Sequence, residues 1–413
     1  MWQPHPAGLL RLGTAMIQIT SYLQRDILDD IIRRWMYGDP RPDDSETIVR
    51  LIHFNNLFLC RCLRILAESI FGKSQNDKMT FRRISCKGGL KDLLIENPPY
   101  RNDRIDSLIH EYLRRPGHYY RETPFHGVLV SRMDGEGRHY AGSYRIKRAR
   151  RIAEKAARRI ADHVFATIRR NADTLAEGRA RRFGISRHEL ITSQEEMNEE
   201  FLHAEEAFLD DLRNHRPLEG QGAIVINDVG GLKIVWEDPS LDPLYETLSR
   251  GGCTIVEREE HRGRYNAVNL TVRYRPPREA IISPPVGGHV LSHFQERGWD
   301  AESINHAFAG FVDSGEESVL LEIIVSTFQE LLESEIGRCM HEDRIMEQRA
   351  ARPYRGHLAR NIGYLLEYLF TLPEAPLPIT RELPIRLWDR YLPDTFFEIM
   401  KDLFRIPSIG PLE

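Results

Sequence analysis

An α+β protein, a mixed β-sheet core with helical flanks on both sides, is the fold class this chain predicts. Three observations carry that expectation. Apolar residues recur at three- and four-residue spacing through the first 115 positions and again beyond 346, as amphipathic helices require. Between these flanks, short apolar runs bounded by turn-forming residues read as strands. At 413 residues the chain exceeds one average domain, so two or three units around a substantial core are expected. The expected division is a helical N-terminal part over 1–120, a core over 121–345 with a helical insertion around 156–218, and a helical extension over 346–413.

Thr20 or Ser21 caps a first helix whose Leu23, Ile27, Ile31 and Trp35 recur at spacings of four, and Gly38 and Pro40 end it. Ser45-Glu46-Thr47 opens a second, with Ile48, Leu51, Ile52, Leu57, Leu63 and Ile70 on its stripe, stopped near Gly72. A third lies around Ile105 to Leu113 and stops at Pro116-Gly117. The period then changes: Gly127-Val-Leu-Val-Ser131 is a short strand and Asp134-Gly135-Glu136-Gly137 a turn. From Ser143 a long helical pattern resumes, with Ile146, Ala149, Ile152, Ala156, Ile160, Val164 and Ile168 on one stripe. Lys147, Arg151 and Lys155 share a neighbouring stripe. An acidic helix covers Ser193 to Leu212. Strands follow near 223–226, 231–236, 253–258 and 268–274, then a helix over Asp300 to Phe311, a strand over 318–325 and a helix running past Glu335. Residues 346–413 return to helix, punctuated by Pro373, Pro376, Pro378, Pro384 and Pro393.

With 57 basic and 61 acidic residues the net charge is −4, which excludes a globally basic nucleic-acid binder. The charge is unevenly placed. From Arg138 to Arg182 fourteen Lys and Arg face four Asp and Glu, whereas Glu195 to Asp211 carries acidic residues and no Lys or Arg. Cys60, Cys62, Cys86, Cys253 and Cys339 are odd in number and form no C-x-x-C pair. That favours a reducing compartment over a disulfide framework or zinc ribbon. The most apolar stretch, Leu57 to Leu66, is interrupted by Arg61 and Arg64, too short and too charged to span a bilayer. No leader-like segment opens the chain, so a cytoplasmic protein with no membrane partner is expected.

Three patches carry chemistry. Arg145-Ile-Lys147, followed by Lys155, is basic and is expected at a helix start, where backbone N–H groups also point outward. Asp228-Val-Gly-Gly231-Leu-Lys233 ends one apolar strand and begins another. Glu322 sits inside Val319-Leu-Leu-Glu322-Ile-Ile-Val325, where a carboxylate is costly unless paired or bound to a metal. Cations that neutralise phosphate oxygens and carboxylates that hold Mg²⁺ together make an inventory for gripping a polyphosphate. That is the chemistry of a nucleotidyl or pyrophosphoryl transferase.

These residues resemble the synthetase domain of the RelA/SpoT (alarmone synthetase) family, whose pattern runs R-x-K-x3-S-I-x2-K, D-x2-G-x-R, G-Y-x-S-x-H and E-x-Q-I-R-T. The chain has Arg145, Lys147, Ile152 and Lys155 at the first spacing, and Asp228 and Gly231 at the second, with Lys233 in place of Arg. Arg264-Tyr265-Asn-Ala-Val-Asn269 is similar to the third, Asn269 standing where His is usual. Glu322 and Thr327 match the fourth, with Ile324 for Gln. The resemblance covers residues 126–345, and the segments before Asp228 and before Glu322 are longer than the family's. It implies a nucleotidyltransferase-like mixed sheet and Mg²⁺-dependent transfer of the β,γ-pyrophosphate of ATP to a ribose 3′-hydroxyl, that is, alarmone synthesis. Arg145, Lys147 and Lys155 would clamp the ATP phosphates. Asp228 and Glu322 would be the catalytic, metal-holding pair. Tyr265, Asn269 and Lys233 would meet the acceptor, with Tyr265 stacking on its base.

The replaced His, Gln and Arg put a guanine nucleotide acceptor in doubt, and three other readings stay open. A toxin-like member acting on a tRNA 3′ end would suit the basic segment 138–182. A catalytically inactive descendant would serve as a nucleotide sensor or protein-binding scaffold. A different nucleotidyltransferase of similar sheet architecture is the third. Each residue also has a plain structural role to fill: the basic face as a solvated surface paired with the acidic helix, Asp228 as a turn former, Glu322 as an edge or solvent-face residue. His289 and His293 have the spacing of a metal pair, but without a third ligand nearby they read as a surface pair.

Overall fold

The computed structural model describes residues 16–72, 78–134, 137–216, 224–263, 266–337, 339–350, 356–376 and 382–407. Its elements run β1 (Ile17–Ile19), α1 (Arg25–Met36), α2 (Asp44–Phe71), β2 (Lys78–Cys86), α3 (Lys87–Glu96), α4 (Asp103–Arg114), β3 (Pro124–Asp134), β4 (Gly137–Ile146), α5 (Ala149–Arg182) and α6 (Gln194–Arg213). Then come β5 (Ile224–Ile226), β6 (Gly230–Val235), α7 (Asp242–Arg250), β7 (Cys253–His261), β8 (Ala267–Tyr274), α8 (Arg278–Ile282), α9 (Gly288–Gln295), α10 (Ala301–Asp313) and β9 (Val319–Ser326). The C-terminal part holds α11 (Phe328–Leu332), a π turn over Glu333–Gly337, α12 (Met340–Ala350), α13 (His357–Thr371) and α14 (Pro393–Phe404). This is the expected α+β class, a mixed sheet with helical flanks.

Seven strands form one sheet in the order β2-β3-β4-β6-β9-β8-β7, and β1 and β5 form a small parallel pair. Within the large sheet β6 and β9 run parallel, while the flanking pairs β4–β6 and β9–β8 are antiparallel. The alternation of side chains along a strand gives each face its own character. One face presents Tyr144, Leu232, Ile234, Leu270, Val272, Leu321 and Ile323, all buried against α2 and the main core. The close approach of α2 is visible at Gly230, where a Cβ would lie 3.3 Å from Leu59 and 3.6 Å from Leu63. Toward β3 the other face is apolar, and there Leu90, Leu93, Leu94, Leu108, Tyr112, Leu129, Phe328 and Leu332 form a second core from α3, α4 and α11.

Three sequence expectations need correction. The first 115 residues are not all helical: β1 pairs with β5, and β2 lies beside β3 at the edge of the large sheet. β2 escapes a periodicity reading because Lys78-Met-Thr-Phe-Arg-Arg-Ile-Ser-Cys86 alternates around charged residues, as an edge strand does. The short strand at 127–131 is one arm of a long hairpin, β3 with β4. Ser143 to Ile146 are the end of β4, not the start of a helix, because they pair with Gly230 to Lys233 of β6. The helical period takes over at Ala149, after which Ile152, Ala156, Ile160, Val164 and Ile168 are all buried, and α13 packs along this stretch. Tyr265 and the Gly135-Glu136 turn lie outside the described residues.

Candidate active site

Strand register assembles the site. On the polar face one row reads Arg145 (β4), Gly231 (β6), Glu322 (β9) and Thr271 (β8). The next row along reads Ser143, Lys233, Ile324 and Asn269. Gly231 leaves the space between Arg145 and Glu322 open. A Cβ there would come within 2.8 Å of the Glu322 carbonyl oxygen, so no larger residue fits without parting β6 from β9. A pocket opens over these rows, lined by Lys87, Phe125, Ser143, Arg145, Asp228, Gly231, Lys233, Glu322, Ile324 and Glu335 among others.

Asp228 stands in the link between β5 and β6, and that link is pinned from several sides. The Thr20 amide and hydroxyl donate to the Ile226 carbonyl at 3.1 and 3.2 Å, and the Lys147 amide donates to the Val229 carbonyl at 2.8 Å. The Ser21 hydroxyl donates to the Leu320 carbonyl at 2.7 Å, tying the same N-terminal segment to β9. The Lys147 ammonium donates to the Asp228 carbonyl oxygen at 2.6 Å and forms an ion pair with Oδ2 of its carboxylate. Lys155, one turn and a half along α5, donates to that same Oδ2 at 2.6 Å. Oδ1 is buried and has no hydrogen-bond partner among the described residues.

The electrostatics follow from that arrangement. Burial pushes the Lys147 ammonium down to about 8; Asp228 and Glu322 oppose the shift and Lys155 adds to it. Burial would raise the Asp228 carboxyl, but Lys147 and Lys155 overcome it and hold the group well below the usual carboxylate range. Asp228 is therefore ionised at any physiological pH. Glu322 lies on β9, a central strand, not an edge, and lines the same pocket as Asp228.

Mg²⁺ takes oxygen ligands and is commonly held by one or two carboxylates plus substrate phosphates. The Asp228 Oδ1, without a hydrogen-bond partner among the described residues, and Glu322, lining the same pocket, fit that donor set. Among the described residues no group of three or more His, Cys, Asp or Glu side chains converges on a point, so an all-protein cage is not present there.

The remaining expected residues divide. Arg145 lines the pocket, its guanidinium 5.4 Å from the centre of the Phe125 ring, but on a strand end and not at a helix N-terminus. Lys233 lines the pocket and donates to Glu335 Oε1 at 2.9 Å. Asn269 lies one row from Glu322, its amide 3.0 Å from His261 Nε2. Thr327 caps α11 by accepting from the Glu330 amide, a structural role. The acidic helix packs on the basic one, and Arg179 reaches across to Glu196 and Glu200 at 3.3 and 3.5 Å, while Arg158, Arg169 and Arg170 stay exposed. His289 and His293 are not a surface pair: His293 is buried, and His53 of α2 lies 4.2 Å from it, ring centre to ring centre.

Sequence reasoning missed Lys87 and Glu335. Lys87 Nζ donates to Glu335 Oε2 at 2.5 Å, and both side chains are almost wholly buried. A signal existed. Glu335 falls four residues after Leu331 and three after Leu332, on the apolar stripe of its segment, and Lys87 and Lys91 alternate with Leu90 and Leu94 in the same way.

No family model matches the chain, and no curated protein or solved structure matches it either. Among the described residues, no helix is long and apolar enough to cross a membrane.

Proposed function

We propose that this pocket transfers the β,γ-pyrophosphoryl group of ATP to the 3′-hydroxyl of a nucleotide acceptor, as a divergent member of the RelA/SpoT-like group. The observation that carries the reading is the state of Asp228. One carboxylate oxygen is gripped by two lysines and the other has no hydrogen-bond partner among the described residues, in a pocket that Glu322 also lines. A turn-forming aspartate needs no such surroundings.

In the transfer, the acceptor O3′ bonds to the β-phosphorus, the bond from that phosphorus to the α,β-bridging oxygen breaks, and AMP leaves with the electron pair. The acceptor's hydroxyl proton goes to a base. Glu322, half-buried and set across Gly231 from Arg145, is the group within the pocket suited to receive it. Lys147, Lys155 and Arg145 bind phosphate oxygens and stabilise the charge that builds on them, an effect strongest where water is excluded. Asp228 and Glu322 would hold Mg²⁺, which would supply neutralising charge to the phosphates. Asn269 and Lys233 border the acceptor side, with Tyr265 in the role the resemblance gives it. The unpaired cysteines suit a reducing cytoplasm, where ATP is also abundant.

The test is incubation of the protein with γ-labelled ATP, Mg²⁺ and, separately, GDP, GTP, AMP and tRNA. Label on a mononucleotide is the expected result. Label on tRNA alone would move the reading to a tRNA 3′-end pyrophosphokinase, for which the exposed Arg158, Arg169 and Arg170 of α5 offer a phosphate-binding face. ATP binding without label on any acceptor would make the protein a nucleotide sensor or scaffold.

A further inference from the structure

Beside the Asp228–Glu322 pair the pocket has a second wall of opposite sign. Lys87 and Lys233 are bonded to the two carboxylate oxygens of Glu335, at 2.5 and 2.9 Å, and Lys91 donates to the Glu335 carbonyl oxygen at 2.6 Å. The three ammonium groups are offset by Glu335 and by Glu342, whose carboxylate is 3.7 Å from Lys87. Among the described residues one positive charge is left over in a cluster whose Lys87, Lys91, Glu335 and Glu342 are all buried. Arg145 adds a second, since it has no carboxylate partner among the described residues and rests on the face of Phe125. Lys87, Lys233, Glu335 and Arg145 all border the pocket. Surplus buried positive charge is costly unless something anionic meets it.

We propose that Lys87 and Lys233 form an anion-binding wall that takes a phosphate group of the acceptor, with Glu335 positioning the two lysines. It is distinct from the phosphates met by Lys147 and Lys155, whose ammonium groups are directed to Asp228. Lys233 is two residues along β6 from Gly231, which places this wall about 7 Å along the strand from the Glu322 row. A nucleotide whose 3′-hydroxyl lies at Glu322 can therefore reach the wall with its 5′-phosphate. Lys87 comes from the N-terminal segment, outside the stretch that resembles the synthetase domain, and Glu335 sits in the π turn, a helix irregularity that recurs at functional sites. The identity of the anion rests on the transfer reading. The capacity of the wall to hold phosphate does not.

Calorimetric titration of the whole protein with inorganic pyrophosphate, without ATP or Mg²⁺, tests it. The unmodified protein binds pyrophosphate. Lys233→Met and Lys87→Met each weaken that binding by about tenfold or more, the scale of one charge-assisted hydrogen bond. Arg182→Met, at the exposed C-terminal end of α5 and outside the pocket, changes it by less than about twofold. Lys233→Arg and Lys87→Arg restore most of the binding because the positive charge remains. If Lys87→Met fails to fold, the partly exposed Lys233 carries the test through its Met and Arg variants. In the transfer assay, Lys233→Met raises the KM for the acceptor and leaves the KM for ATP unchanged. Absence of pyrophosphate binding, or binding indifferent to folded Lys87→Met and Lys233→Met proteins, would overturn the proposal. Lysine-dependent pyrophosphate binding in a protein that transfers nothing would support the wall and remove the transfer reading.

Discussion

At Lys147 burial opposes the charge that phosphate binding requires, and the opposition is measurable. Its ammonium is held near 8, so it is protonated at neutral pH and loses its proton as pH rises through that value. The kcat/KM for ATP, which reports groups of the free enzyme, should fall on the alkaline side with a midpoint near 8. Lys147→Arg should shift that limb upward, because a guanidinium stays charged throughout. Lys147→Ala should reduce transition-state stabilisation by about 2–4 kcal/mol with the fold intact, as for other preorganised donors. Unchanged turnover would return Lys147 to a purely structural partnership with Asp228. Gly231 offers a second test at this scale. A methyl group there would meet the backbone oxygen of Glu322, which cannot swing aside as a side chain can. Gly231→Ala should destabilise the protein by about 1–3 kcal/mol in chemical denaturation and abolish transfer, because the two strands that carry Lys233 and Glu322 must separate. Glu322 was legible in the sequence because a carboxylate in an apolar strand is rare. Lys87 and Glu335 were not, because lysine and glutamate in helical segments pass as solvated until their positions on the apolar stripe are checked.

Elements place these residues, and the sequence read them unevenly. The apolar period of α5 was clear over Ile152 to Ile168, yet the same reading ran too far upstream, because strand pairing of Ser143 to Ile146 with β6 outweighs local helical spacing. β6, β8 and β9 were legible as apolar runs. β2 was hidden by its charges. The α2–α9 contact was also missed, since nothing in the spacing of His289 and His293 points to His53, more than two hundred positions away. This contact should make the fold acid-sensitive. Burial holds His53 down to about 4 and His293 to about 3; Arg297 and His289 add to the effect on both, while the bond to the Pro373 carbonyl partly offsets it for His53. Both values lie below the ordinary 6.5, so the unfolded chain binds these protons first. The stability contributed is complete above about 6.5 and is lost as pH falls toward 4. His293→Phe removes a buried nitrogen that has no hydrogen-bond partner among the described residues, and thermal melts of that variant should decline less steeply over that range. An equal decline in both proteins would place the acid sensitivity elsewhere.

Across the whole molecule, one hydrophobic cluster runs from Ile17 through α2 and the sheet to Phe396, so helical flanks and central strands share a core. That continuity explains how the N-terminal segment pins the Asp228 link through Thr20 and Ser21, while the second core seats α3, which supplies Lys87 to the pocket. The α+β class could be read from alternating periods along the chain. The sharing of the core could not, because it depends on contacts between residues hundreds of positions apart. The central claim is that ATP is cleaved between its α- and β-phosphates and that the pyrophosphoryl part moves to the acceptor. The most direct measurement compares ATP labelled at the γ-phosphorus with ATP labelled at the α-phosphorus, under identical conditions with Mg²⁺ and the acceptor. Pyrophosphoryl transfer predicts that γ-label appears on the acceptor while α-label is released as AMP. α-Label on the acceptor, with γ-label released as pyrophosphate, would contradict the account and make this site a nucleotidyltransferase.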